Sequence, residues 1–65
     1  MKILLNDYMA KNNYTTRQVS IMTGVPRSTI NDIANGKSSP TMDVMERLAM
    51  GMKTRISDLY ESEYK

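Results

Sequence analysis

The sequence predicts an all-α fold, a compact five-helix bundle forming one domain over residues 1–65. Three observations carry this. Apolar residues recur at intervals of three and four rather than two, the period of a helix with one buried face. Helix punctuation falls between those stripes, at Asn12-Asn13, Gly24-Val25-Pro26, Asn35-Gly36 and Pro40-Thr41. Finally, 65 residues, 40% of them hydrophobic, suffice for one small core and no second.

Each element follows in order. Ile3, Leu5, Tyr8 and Met9 form the first stripe, which stops at Asn12-Asn13. Thr15-Thr16-Arg17-Gln18 has the T-x-x-Q form of a capping box: Thr15 caps the Gln18 N–H and Gln18 reaches back. The second helix that it opens buries Val19 and Met22 and ends at Gly24, the natural residue for a left-handed turn. Pro26 begins the third helix, where its missing N–H is no loss. That helix buries Ile30, Ile33 and Ala34 and ends at Asn35-Gly36. Pro40-Thr41 opens the fourth, with Asp43 in its first turn to complement the helix dipole. Its stripe is Met42, Met45, Leu48, Ala49 and Met52, where methionine fills irregular gaps in a core. A short last helix carries Ile56, Leu59 and Tyr60, and the polar residues 61–65 are expected to fray. Met50 and Ile21 fall off the core stripes. They belong either to a dimer contact or to the scattered apolar residues of any surface.

Composition narrows the function. The chain has neither histidine nor cysteine, so disulfides and the usual zinc and haem sites are excluded, and no cofactor or metal is expected. No apolar run approaches the roughly 20 residues of a membrane span, so no membrane partner is expected. The opening MKILLN meets Asn6 and Asp7 too soon to act as a signal peptide. An enzyme is not expected either: the carboxylates pair with no nucleophile, and a small helical bundle offers little pocket volume. The net charge of +2 is unevenly spread. Residues 1–40 carry five Lys or Arg against two acids, and residues 41–65 carry four against five. Such a split suits one face to a polyanion.

The third helix holds the unusual face. At about 100° per residue, Ile30, Ile33 and Ala34 point one way, and Ser28, Asn31, Asp32 and Asn35 the other. Arg27 and Thr29 flank them. Arginine forks onto guanine, asparagine pairs with adenine, aspartate accepts from cytosine, and serine and threonine adapt. This is chemistry for reading base edges, although composition alone describes a solvated helix equally well. The spacing favours base reading. Two helices joined by a short glycine-containing turn form a helix-turn-helix. Its second helix fits a major groove roughly 12 Å wide. Here Ser20 is small where the helices cross, residues 24–26 make the turn, and Ile30 locks the third helix to the core. The helix-turn-helix core spans residues 16–35.

Residues 14–60 resemble the DNA-binding domain of the phage Cro and repressor family, the XRE-type helix-turn-helix. The resemblance lies in TGVPRSTINDIANGKSSPT, with its string G-V-x-R-S-T-I-x-x-I-x-N-G-K-x-x-P, and more loosely in MERLAMGMKTRISDLY. It implies a lambda-repressor-like domain that binds double-stranded operator DNA as a homodimer and regulates transcription, as a repressor. It also implies a cytoplasmic, nucleoid-associated protein of bacterial or phage origin. By position, Arg27 and Ser28 would meet base edges, with Asn31 and Asp32 one turn further on. Thr16 would bind a phosphate through its backbone N–H and hydroxyl. Arg17, Thr29, Asn35 and Lys37 would contact phosphates on either side of the groove. The chain departs from the family pattern at several points. Thr16 stands where glutamine is common, Pro26 where a capping Ser or Thr is usual, and Ser20 where alanine is. Gly51 interrupts the fourth helix at a cost of about 1 kcal/mol against alanine, and Lys53 takes the usual C-terminal glycine position. The alternative is a protein–protein interaction module, antitoxin- or anti-repressor-like, that keeps the fold without binding DNA.

Overall fold

Every predicted stop in the sequence is used, and the elements between the stops pack into one body. The computed structural model describes all of residues 1–65. In chain order they are β1 (Lys2–Ile3), α1 (Leu5–Lys11), α2 (Thr16–Thr23), α3 (Arg27–Ala34), α4 (Met42–Met52), a 3-10 turn (Ile56–Leu59) and β2 (Tyr60–Glu61). The fold is thus mostly helical, with four α-helices. The expected fifth helix is a single 3-10 turn. It is too short to repeat an apolar stripe, and it serves to drive Leu59 into the core, where that residue is fully buried.

Local chemistry sets the boundaries. The capping box of α2 forms as its sequence implies: Gln18 N–H donates to Thr15 Oγ1 at 3.1 Å, and Thr15 N–H donates to Gln18 Oε1 at 2.8 Å. Thr41 caps α4 by accepting from Val44 N–H at 3.2 Å. α1 and α4 each end with a left-handed residue that is not glycine, Asn13 at φ 58° and Lys53 at φ 55°. Asparagine tolerates that conformation, whereas a lysine there carries a steric cost.

The core is wholly apolar. Leu5, Val19, Val25, Ile30, Leu48 and Leu59 are fully buried, joined by Met9, Ile33, Met45, Ala49 and Met52. Burying each large side chain contributes roughly 1.5–3 kcal/mol. α2 is central, packing on both α3 and α4.

Four expectations are corrected here. Met22 lies at the rim, 38% exposed. Its place is taken by the small face of α2, because a Cβ on Gly51 of α4 would lie 2.5 Å from the Met22 carbonyl oxygen and 2.6 Å from Thr23 Cα. The helices touch backbone to backbone there, which leaves no room for a long side chain between them. Met42 is 65% exposed. Thr41 and Asp43 beside it are exposed as well, so the first turn of α4 overhangs the core. Ile3 belongs to no helix. Lys2–Ile3 pairs antiparallel with Tyr60–Glu61, with Ile3 opposite Tyr60 and Lys2 opposite Glu61, and Leu4 N–H donates to Leu59 O at 2.8 Å. The tail, expected to fray, turns back on this pair. Lys65 Nζ donates to Tyr60 O at 3.1 Å and lies 3.9 Å from the Glu61 carboxylate.

Candidate nucleic-acid interface

The turn between α2 and α3 is held by side chains close in sequence. Gly24 adopts φ 76°, and its N–H closes the end of α2 on Ser20 O at 2.9 Å. Only glycine enters this region freely. Ser20 Oγ donates to Val25 O at 2.7 Å, which satisfies a carbonyl that the turn would otherwise strand. Thr23 Oγ1 donates to Val19 O at 2.7 Å and accepts from Val25 N–H at 3.2 Å. Val25, 2% exposed, pins the turn to the core. Ser20 therefore does more than fit a close crossing: its hydroxyl fastens the turn.

Pro26 stands one residue before α3, at φ −57°, and offers no side-chain cap. The first N–H groups of α3 consequently have neither a side-chain cap nor an intrahelical partner. Ile30 and Ile33 bury the opposite side of the helix, while Ala34 is only half-buried. At the far end Gly36, at φ 74°, reverses the chain. Its N–H donates to Ile33 O at 3.2 Å, and Lys37 N–H donates to Asp32 O at 2.8 Å. This is the paired closure of a Schellman motif, and it brings Lys37 back beside the end of α3.

The fold brings two pairs of the sequence-predicted residues together across α2 and α3, Arg17 with Arg27 and Thr16 with Asn31. Arg17, Arg27, Ser28, Asn31, Asp32, Asn35 and Lys37 are exposed, and Thr16 and Thr29 are half-buried. A shallow hollow on the α2–α3 seam is lined by Arg17, Ser20, Ile21 and Arg27. The one salt bridge of the chain is Lys65–Glu61, so Arg17, Arg27 and Lys37 have no acidic partner. The terminal segment meets Met1 and Lys2 instead of α3. Thr16 Oγ1 donates to Asn31 Oδ1 at 3.1 Å, an exposed bond that bridges α2 and α3. Sequence reasoning assigned no place on this surface to Ile21, which is 75% exposed and shares the hollow with the two arginines. Its only sequence signal was falling off the apolar stripe of α2.

No grouping of three His, Cys, Asp or Glu that could hold a metal ion is present, and no helix is long and apolar enough to cross a membrane.

No curated protein and no solved structure matches the chain. A family described as helix-turn-helix matches residues 5–59, from the start of α1 through Leu59. That span takes in the whole of the α2–turn–α3 unit and the helices against which it packs. The chain belongs to the helix-turn-helix family of Cro and repressor (XRE) type, whose members are DNA-binding regulators of transcription.

Proposed function

We propose that the protein binds double-stranded operator DNA sequence-specifically and represses transcription. α3 lies in the major groove with Arg27, Ser28, Asn31 and Asp32 at base edges. Thr16, Arg17, Thr29, Asn35 and Lys37 hold the phosphates on either side. Two copies bind as a homodimer on half-sites about one helical turn apart.

The observation that carries this reading is the outer edge of α3. It is exposed and lined with short hydrogen-bonding side chains, and Arg17, Arg27 and Lys37 near it form no salt bridge. A solvated helix gains nothing from cations held apart from acids. A polyanion supplies the missing partner, and the base edges supply partners for the short polar groups.

The test is a salt titration of binding to mixed-sequence and selected duplexes. The logarithm of affinity should fall linearly with the logarithm of salt concentration, with a slope of about −0.9 per phosphate contact. Selection from a random pool should return a two-fold symmetric site. A flat salt response with no enriched sequence would overturn the proposal and favour the interaction module.

A further inference from the structure

The hollow on the α2–α3 seam combines two features that a single ligand must satisfy together. Arg17 and Ile21 stand four residues apart on α2 and so share a face of that helix. Arg27 reaches the same hollow from the start of α3. Neither arginine forms a salt bridge. Ser20, the fourth residue of the lining, has given its hydroxyl hydrogen to Val25 O at 2.7 Å. The side-chain donors left around the hollow are therefore the two guanidinium groups. Ile21 adds an apolar surface that is 75% exposed. A lone exposed isoleucine is ordinary on a protein surface. Here it shares one hollow with two uncompensated cations from different helices.

A phosphate answers the arginines and not the isoleucine. Its oxygens accept from the guanidinium groups, but a hydrated sugar–phosphate strand offers Ile21 little apolar surface to cover it. A peptide segment supplies both. Aspartate or glutamate pairs bidentately with Arg17 and Arg27, and an apolar side chain between the carboxylates covers Ile21 and the methylene stems of the arginines. A small apolar centre rimmed by arginine has the composition of a protein–protein contact. We propose that the hollow docks an acidic segment of a partner protein, one with a leucine-sized apolar side chain flanked by carboxylates, and that this partner competes with DNA because it occupies Arg17 and Arg27. The docking surface stands apart from the DNA-binding reading above, whereas the competition rests on it.

The experiment selects a random peptide library, displayed on phage, on the full chain. Enriched peptides are synthesised and measured against wild type, Ile21→Ser and Arg17→Gln. Both side chains are exposed, and thermal melts establish that the variants fold alike. The enriched peptides should carry Asp or Glu on both sides of a Leu, Ile, Met or Phe. Ile21→Ser and Arg17→Gln should each weaken their binding by roughly tenfold. Ile21→Ser should bind mixed-sequence duplex as wild type does, and saturating peptide should release duplex from the wild type. A pool with no acidic enrichment, or peptides that bind Ile21→Ser as tightly as wild type, overturns the docking surface while DNA binding stands. A loss of duplex affinity in Ile21→Ser assigns the hollow to DNA and overturns the inference as well. Peptides that bind as expected but leave duplex in place overturn the competition. If the wild type binds peptide as expected and binds no duplex, the functional reading fails and the docking surface is upheld.

Discussion

Arg27 and Lys37 are both exposed cations without an acidic partner, yet they stand at opposite ends of α3 and should behave differently. Arg27 is the first residue of the helix, the position from which, in the proposed reading, a long forked donor reaches base edges. Arg27→Ala should weaken binding to the preferred operator by about 1–3 kcal/mol and binding to mixed duplex much less. Equal losses on both would remove it from base reading. Lys37 follows the Gly36 reversal, beyond the end of α3. Lys37→Ala should weaken all duplexes alike and reduce the magnitude of the salt slope by about one, and an unchanged slope would leave Lys37 merely solvated. At this scale much of the local structure around α2 and α3 was legible in the sequence. The Thr15–Gln18 box, the left-handed Gly24 and the outward edge of α3 all follow from chemistry within a few residues. The bond from Thr16 to Asn31 was not legible, because it needs two helices at a particular distance, and no local pattern states that distance.

Between elements, the decisive contact is the one at Gly51. In an exposed helix interior, replacing glycine by alanine stabilises by about 1 kcal/mol. Here the added Cβ would lie 2.5 Å from Met22 O and 2.6 Å from both Thr23 Cα and Thr23 Cγ2. Two of those atoms are backbone, so no rotamer change relieves the clash, and α2 must move. Gly51→Ala should therefore destabilise the protein by roughly 1–3 kcal/mol in chemical denaturation. A variant as stable as wild type would show that α2 and α4 have room to part. The same contact explains why the apolar stripes were only partly readable. Period and spacing place Val19, Ile30, Ile33, Leu48 and Met52 inside, as found. They also place Met22 inside, because a helical wheel does not know that a glycine on α4 has drawn the helices too close for a methionine. Gly51, which looked like a flaw in α4, is what allows the approach.

For the whole molecule, one pH-dependent contribution to stability comes from the way the last turn is fastened. Asp58 Oδ2 accepts from Thr54 Oγ1 at 3.0 Å and from Arg55 N–H at 3.3 Å. The Thr54 hydroxyl foremost, and then the Arg55 N–H, hold this carboxyl below the ordinary aspartate value of 3.8. A carboxyl with a lowered folded-state pKa stabilises the fold above its unfolded value, and that contribution is lost as pH falls through the folded value. Melting temperature should therefore decline below about pH 3.8, and Asp58→Asn should decline less steeply over the same range. Identical pH profiles would show that the turn is held by packing of Leu59 alone. This closing region was the least legible part of the fold. Two residues at each end of the chain have no period to display, and only their proximity in space makes them strands.

That pairing sets an order of events. Joining residue 2 to residue 61 closes nearly the whole chain into a ring, and the entropy of such closure must be met before any ladder bond is gained. The α2–turn–α3 unit involves no such long excursion. Under native conditions the clasp should come undone well before the α2–turn–α3 unit does. Deuterium should accordingly enter at the Leu4 amide long before it reaches that of Ile30, so that the molecule loosens where its ends meet while the helix-turn-helix stays set.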